Sequence, residues 1–302
     1  MTCFADRLAA LVEERRSQVC LGLDPDPAKL GGVASSPAGE EAGPGDPEAP
    51  VAELAAAAVA EHCRSLIEQA GPACVAVKPQ LACFERLGAP GWAALEATRA
   101  AAQEAGLLVV ADGKRGDVPV TAAAYAQALV GETQTPWGTV GGLGADAFTA
   151  NPLLGRDALE PLVAAAEEAG AGMFALVRTS NPGAADIQDL PAPEAPLHER
   201  LAAIVDELSE RLQGEAGLSG MGAVVGATEP QHFARMRELM PRSVFLIPGV
   251  GAQGGKPELL GAAFAAGRAA GLVAASRGIA ADPDPAAAAE RLRAAVWEIS
   301  TA

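Results

Sequence analysis

The sequence predicts an α/β fold: a (β/α)8 TIM barrel with a helix N-terminal to the first strand, formed by residues 1–302 as a single domain. Two observations carry this. Short apolar runs recur along the chain, and alanine-rich amphipathic stretches separate them at similar spacing, eight of each. Most of the runs are β-branched or apolar on both faces, as in a parallel sheet covered on both sides. Eight strand–helix units of similar spacing favour a closed barrel over an open doubly wound sheet.

Each element follows in order. Residues 4–16 form a helix that can close the bottom of the barrel. Val19–Leu23 is the first strand. After it, residues 31–50 are rich in Gly, Pro, Ala and Glu and read as a flexible insertion. The later strands are Cys74–Val77, Leu107–Val110, Ala145–Thr149, Met173–Val177, Ala223–Gly226, Val244–Ile247 and Leu272–Ala275. The helices are 51–70, 91–105, 119–130, 157–169, 197–213, 229–240, 257–269 and 285–299. Residues 181–196, with four prolines and little periodicity, follow the fifth strand and form either a lid or a plain surface loop.

Composition narrows the function classes. Half of the 302 residues are hydrophobic, ample for a large core. A net charge of −16 without a basic stripe argues against nucleic-acid binding. An anionic substrate would therefore need a locally positive pocket. The five cysteines (Cys3, Cys20, Cys63, Cys74, Cys83) show no C-x-x-C or zinc spacing, which suggests reduced thiols in the cytoplasm. Cys20 and Cys74 lie inside apolar runs and read as small core residues. The N-terminus lacks the basic-then-apolar pattern of a signal peptide. No uncharged run reaches membrane-spanning length.

The densest chemical signal is Ala111-Asp112-Gly113-Lys114-Arg115-Gly116-Asp117-Val118-Pro119, directly after an apolar run. A strand there puts Asp112 and Lys114 on one face, because successive side chains alternate. Asp117 falls in the loop that opens the next helix. Buried charge is expensive unless paired, so three fixed charges at a strand end point to chemistry as well as to an ion pair.

Active sites of such barrels lie at the carboxyl ends of the strands. Those ends carry Asp24, Lys78, Asp112 with Lys114, Arg178-Thr179-Ser180, the loop Pro248–Gly255, and Ser276-Arg277-Gly278. Gly249–Gly254 matches G-x-G-x-x-G but lies late in the chain, and no Asp or Glu occurs between Glu258 and Asp282 to hold a ribose. Phosphate binding fits better: glycines, Gly251 among them, let backbone N–H groups approach an anion, a helix N-terminus follows, and Arg277 adds a charged fork. His62, His198 and His232 fall on helices and read as surface or packing residues. Asp24, Asp112 and Asp117 have the chemistry to hold Mg²⁺, but a lysine among them competes, so no metal site is expected.

These residues resemble the orotidine 5′-phosphate decarboxylase family. Asp112–Asp117 matches its D-x-K-x-x-D signature. Leu21-Gly22-Leu23-Asp24, Val77-Lys78-Pro79, Thr179–Gly183, Pro248–Gly255 and Ser276-Arg277-Gly278 follow in the family's order. Asp146–Gly155 resembles its longer bacterial subgroup. The resemblance spans about residues 19–280. It implies cofactor-independent decarboxylation of orotidine 5′-phosphate to uridine 5′-phosphate. It also implies roles. Asp24 and Lys78 hold the ribose and the charge network, Asp112 crowds the substrate carboxylate, and Lys114 protonates C6. Asp117 and Thr121 reach the ribose in a neighbouring subunit's site, making a homodimer with shared active sites. Ser180 contacts the pyrimidine, and Gln253 and Arg277, next to Gly278, grip the 5′-phosphate.

The residues suit that reaction independently. The departing carbon dioxide leaves a poorly delocalised carbanion, which preplaced charge can stabilise and a lysine ammonium can protonate. Distant phosphate contacts supply binding energy expressed at the reacting carbon. The alternatives are a metal-dependent sugar-phosphate decarboxylase or aldolase on the same barrel, and a non-catalytic phosphate-ligand binder. A Schiff-base aldolase through Lys78 or Lys114 is disfavoured, since neighbouring carboxylates oppose the neutral amine.

Overall fold

The computed structural model describes residues 2–30 and 49–300. Residues 31–48 of the expected insertion lie outside the described residues, and Ala49 and Pro50 open the next helix. Helix α1 (Phe4–Arg15) precedes β1 (Val19–Leu23), and α2 (Ala49–Ala70) leads to β2 (Ala76–Pro79). A short α3 (Leu81–Glu85) and α4 (Gly88–Glu104) lead to β3 (Leu108–Arg115), then α5 (Pro119–Leu129). A hairpin of β4 (Glu132–Thr135) and β5 (Gly138–Gly141) precedes β6 (Ala147–Ala150). Next come α6 (Arg156–Ala169), β7 (Gly172–Arg178), α7 (Ala184–Gln188), α8 (Leu197–Leu208) and β8 (Ser219–Val225). The chain ends with α9 (His232–Leu239), β9 (Ser243–Pro248), β10 (Gly271–Ala275), α10 (Arg277–Ala280) and α11 (Pro285–Ile299).

Eight parallel strands close in the order β1-β10-β9-β8-β7-β6-β3-β2, and β4-β5 stands apart as an antiparallel pair. Local chemistry fixes several boundaries. α5 and α11 open on prolines, whose missing N–H is not needed in a first turn. Asp284 caps α11 by accepting from Ala287 N at 2.9 Å. α6 stops at Gly170, which takes the left-handed conformation (φ 63°).

The strands separate two cores. Alternate residues such as Val19, Leu21, Val77, Val109 and Ala111 face the surrounding helices. The other set, including Cys20, Ala76, Leu108, Val110, Phe174 and Leu272, fills the barrel together with α1. Helix α1 plugs the amino-terminal end: Phe4 meets Phe174 edge-on at 5.8 Å. Gly172 makes room for that plug, since a Cβ there would lie 2.5 Å from the Phe4 ring. Among the described residues, no helix is long and apolar enough to cross a membrane.

The fold departs from the sequence expectation in several places, the short helices α3, α7 and α10 among them. The expected helix 257–269 is a chain of 3-10 turns, Pro257–Leu259, Gly261–Phe264 and Arg268–Ala270. Glycines at 261 and 267 interrupt it, and the buried Arg237 guanidinium binds the Ala263 and Ala270 carbonyls (2.7 and 3.0 Å) in place of helical N–H groups. The expected helix 197–213 ends at Leu208 and tightens into a 3-10 turn, Ser209–Leu212. The β4-β5 hairpin was not expected; its strands are largely exposed, so no apolar run announces it.

Candidate active site

The alternation that builds the inner core also builds the site. Along each strand the inward row continues past the apolar plug to the carboxyl rim. Cys20 is followed by Gly22 and Asp24, Ala76 by Lys78, Leu108 and Val110 by Asp112, Ala147 by Thr149, and Ala274 by Ser276. These ends surround a cavity of about 570 Å³. Asp24, Lys78, Asp112, Lys114, Ser180, Gln253, Arg277 and Gly278 all border it.

Its centre is the Asp112 carboxylate, held between two ammonium groups. Lys78 Nζ lies 2.5 Å from Oδ2 and Lys114 Nζ 2.6 Å from Oδ1. Burial works to raise the Asp112 carboxyl, but the Lys78 and Lys114 charges outweigh it and pull its pKa down to about 2. Burial likewise pulls the Lys78 ammonium down, yet the Asp112 and Asp24 charges prevail and hold it above the ordinary lysine value. The two lysines differ in access: the Lys78 side chain is 10% exposed, that of Lys114 43%. Lys114 opens toward the cavity, while Lys78 is locked beneath.

Lys114 reaches Asp112 by a route that simple alternation does not describe. Its φ is 48°, in the left-handed region. The ladder between β3 and β6 jumps from Ala111↔Phe148 to Arg115↔Ala150, so three residues of β3 oppose Thr149 alone. The Thr149 hydroxyl fills this bulge, accepting from Lys114 N at 2.8 Å and donating to Asp112 Oδ1 at 2.9 Å. Gln80 Nε2 donates to Asp112 Oδ2 at 3.3 Å.

Thr149 and Gln80 were not singled out from the sequence, although both immediately follow or lie within segments that were. The odd-even spacing Ala147, Thr149 at a strand end was the available signal for the first. Gln188 and Asn181 also border the cavity, from the segment read as lid or surface loop.

On the far wall Ser180 Oγ donates to Gln253 Oε1 at 2.9 Å. Among the described residues neither the Arg277 nor the Asp24 side chain makes a hydrogen bond or ion pair, although the Asp24 charge still acts on Lys78; both side chains border the cavity. The glycine loop behaves differently from the expectation. Gly249 and Gly251 adopt positive φ (98° and 75°). The N–H groups of Gly251, Gly254 and Gly255 are bound inside the loop, to Gly255, Gly251 and Gly249 carbonyls at 2.9, 2.8 and 3.0 Å. Gly251 does not border the cavity and shapes the turn instead. No α-helix follows that loop; the nearby helix start is α10, at Arg277 and Gly278.

Asp117 and Thr121 also lie outside the cavity of their own chain. Asp117 Oδ1 accepts from Val118 N at 2.7 Å, and Thr121 sits in the first turn of α5. Arg178, unlike the other strand-end residues, turns away from the cavity and pairs with Asp189 at 2.9 Å. The histidines lie on helices as expected: His198 is buried and meets His232 edge-on at 5.0 Å. Cys20 and Cys74 are buried core thiols, that of Cys20 pushed up to about 12 by desolvation.

A closed parallel barrel with a charged, ligand-sized cavity at its carboxyl rim defines a barrel enzyme acting on a small molecule. The sequence profile of the orotidine 5′-phosphate decarboxylase / HUMPS family matches residues 17–292. An orotidine 5′-phosphate decarboxylase of Rhodopirellula baltica is 38% identical over 92% of this chain and 88% of its own. One from Deinococcus radiodurans is 39% identical over 91% and 88%. The solved OMP decarboxylase of Leishmania donovani superimposes with a TM-score of 0.73 at 34% identity, covering 100% of both chains. The chain belongs to the orotidine 5′-phosphate decarboxylase / HUMPS family.

Proposed function

We propose that this chain catalyses the decarboxylation of orotidine 5′-phosphate to uridine 5′-phosphate, the last step of de novo UMP synthesis, without a cofactor. The observation that carries the reading is the Asp112 carboxylate gripped by Lys78 and Lys114 at the cavity wall. With substrate bound, the C6–carboxylate bond breaks and its electron pair stays on C6. The Lys114 ammonium stabilises that charge and then donates its proton to C6; carbon dioxide leaves, and solvent reprotonates the amine. Asp112 keeps the ammonium aimed. Lys78 neutralises the carboxylate oxygen that Lys114 does not use. Ser180 and Gln253 face the pyrimidine and the phosphate, and Arg277 takes the phosphate by charge-assisted hydrogen bonds.

Asp24 and Lys78 meet the ribose. Asp117 and Thr121 serve the ribose of a neighbouring subunit, which makes a homodimer the active unit. A divalent ion at Asp112 would have to displace two ammonium groups, so the donor chemistry favours charge catalysis over metal-assisted chemistry. Five free thiols suit a reducing cytoplasm.

The test is the loss of orotidine 5′-phosphate absorbance after adding purified, EDTA-treated protein. Turnover that survives EDTA supports the proposal. Turnover of orotidine 5′-phosphate that EDTA abolishes and a divalent ion restores removes the cofactor-free mechanism. No such turnover, together with metal-dependent consumption of a sugar phosphate, points to the alternative enzyme. Binding without turnover points to a phosphate-ligand binder.

A further inference from the structure

The turn after β7 carries a set of hydrogen bonds that the mechanism above does not use. Gln188, the last residue of α7, reaches back to Thr179 with both ends of its amide. Its Oε1 accepts from Thr179 N at 2.8 Å, and its Nε2 donates to Thr179 Oγ1 at 2.9 Å. Behind it, Asp189 accepts from Arg178 Nε and Nη2 at 2.9 and 3.0 Å, and Arg178 Nη1 donates to the Thr179 carbonyl at 2.8 Å. His198 Nδ1 lies 2.8 Å from the Gln188 carbonyl. The N–H, hydroxyl and carbonyl of Thr179 are therefore all held by side chains. The next residue is Ser180, which meets Gln253 across the cavity and whose carbonyl accepts from Thr228 Oγ1 at 3.0 Å.

Thr179 is half-buried at the cavity edge, and side chains rather than water hold its backbone. The buried Arg178 and His198 need their partners, but the apolar core does not require the Gln188 side chain. α7 spans five residues, and of these only Ala184 is buried. Gln188 itself borders the cavity. The clamp restricts the backbone that presents Ser180, so its effect falls on whatever Ser180 touches.

We propose that Gln188 is a positioning residue: acting through Thr179, it sets where Ser180 meets the base of the bound nucleotide, while Arg178 and Asp189 anchor the turn from behind. This rests on the reading that Ser180 faces the pyrimidine and Arg277 the phosphate. It predicts selectivity. Loosening the clamp weakens ligands that carry the base and spares those that carry only the phosphorylated ribose.

The experiment measures binding of uridine 5′-phosphate and of ribose 5-phosphate to wild type, Gln188→Leu and Gln188→Glu by titration calorimetry, with thermal melting as the folding control. Leucine removes both bonds to Thr179 at similar size; a carboxylate keeps the bond from the Thr179 N–H, and the hydroxyl keeps its 2.6 Å bond to Asn181 Oδ1. Gln188→Leu should weaken uridine 5′-phosphate about tenfold or more and leave ribose 5-phosphate unchanged, and Gln188→Glu should recover most of the loss. Unchanged uridine 5′-phosphate binding, equal losses for both ligands, or a glutamate variant as weak as leucine would each overturn the proposal. Should Gln188→Leu not fold, Thr179→Val removes the hydroxyl half of the clamp together with the Thr179–Asn181 bond, Asn181→Ala controls for the latter, and the valine variant must show a selective loss beyond that of Asn181→Ala. Wild type that does not bind uridine 5′-phosphate overturns the substrate reading itself, and the clamp with it.

Discussion

Lys114 lies 2.6 Å from Asp112 Oδ1, only two residues away in sequence, and makes that contact from a left-handed backbone (φ 48°). A lysine pays a steric penalty there that glycine does not. Strain of this kind concentrates where geometry serves chemistry.

Lys114→Ala and Lys114→Gly separate the two effects. Both should lose turnover by about 10³-fold or more if Lys114 is the proton donor proposed above. The glycine variant should be more stable than the alanine variant by about 1 kcal/mol, because it alone relieves the left-handed residue. Steady-state rates and urea unfolding check this. A folded Lys114→Ala protein with near-normal turnover removes Lys114 from the proton-donor role.

Arg277→Ala should weaken substrates bearing the 5′-phosphate and barely change binding of the phosphate-free nucleoside. The Arg277 side chain makes no hydrogen bond or ion pair among the described residues and borders the cavity, so its replacement breaks no such bond within the protein. A charge-assisted contact of this kind contributes on the order of 2–4 kcal/mol. Comparing orotidine 5′-phosphate with orotidine gives the difference directly. Equal losses for both would assign Arg277 elsewhere.

Asp112 makes stability depend on acid. Its folded pKa, about 2, lies below the ordinary carboxylate value. The stabilisation is therefore complete above the unfolded pKa and is lost as pH falls through the folded one. Wild type should lose about 2 kcal/mol from this group between about pH 4 and pH 2. Asp112→Asn lacks that component, although it is less stable near neutrality because Lys78 stays buried without its counter-charge. Unfolding free energies at several acid pH values test it. Parallel curves for the two proteins would show that Asp112 is not held in its charged form.

Most of this fold was legible because a barrel strand has two faces with a period of two. The rows Cys20–Gly22–Asp24 and Leu108–Val110–Asp112 carry the apolar core into the charged rim without a break. Thr149 was harder to foresee. Its importance depends on a bulge that only appears when β3 pairs with a strand 35 residues away. The segment 257–269 has helical composition, yet a buried arginine on α9 takes its carbonyls. Gln188 was hidden for a related reason: nothing local in Asn181–Pro196 marks the amide that folds back on the Thr179 N–H. Tertiary pairing, not propensity, decides each of these.

The position of Asp117 leads to a test of subunit sharing. It lies in the signature with Asp112 and Lys114, yet it does not border its own chain's cavity, whereas Lys78 does. If Asp117 serves a neighbouring subunit, each site needs Lys78 from one chain and Asp117 from the other. Asp117→Ala and Lys78→Ala homodimers should then each be nearly inactive. Unfolding them together and reassembling forms mixed dimers in which one site carries both defects and the other neither. Random pairing makes half the dimers mixed, each with one intact site, so recovered activity should approach about a quarter of wild type. Activity of the remixed sample, with mixed dimers verified by differential tagging, checks the outcome. A sample as inactive as its parents, although mixed dimers are present, would mean that Asp117 acts within its own chain.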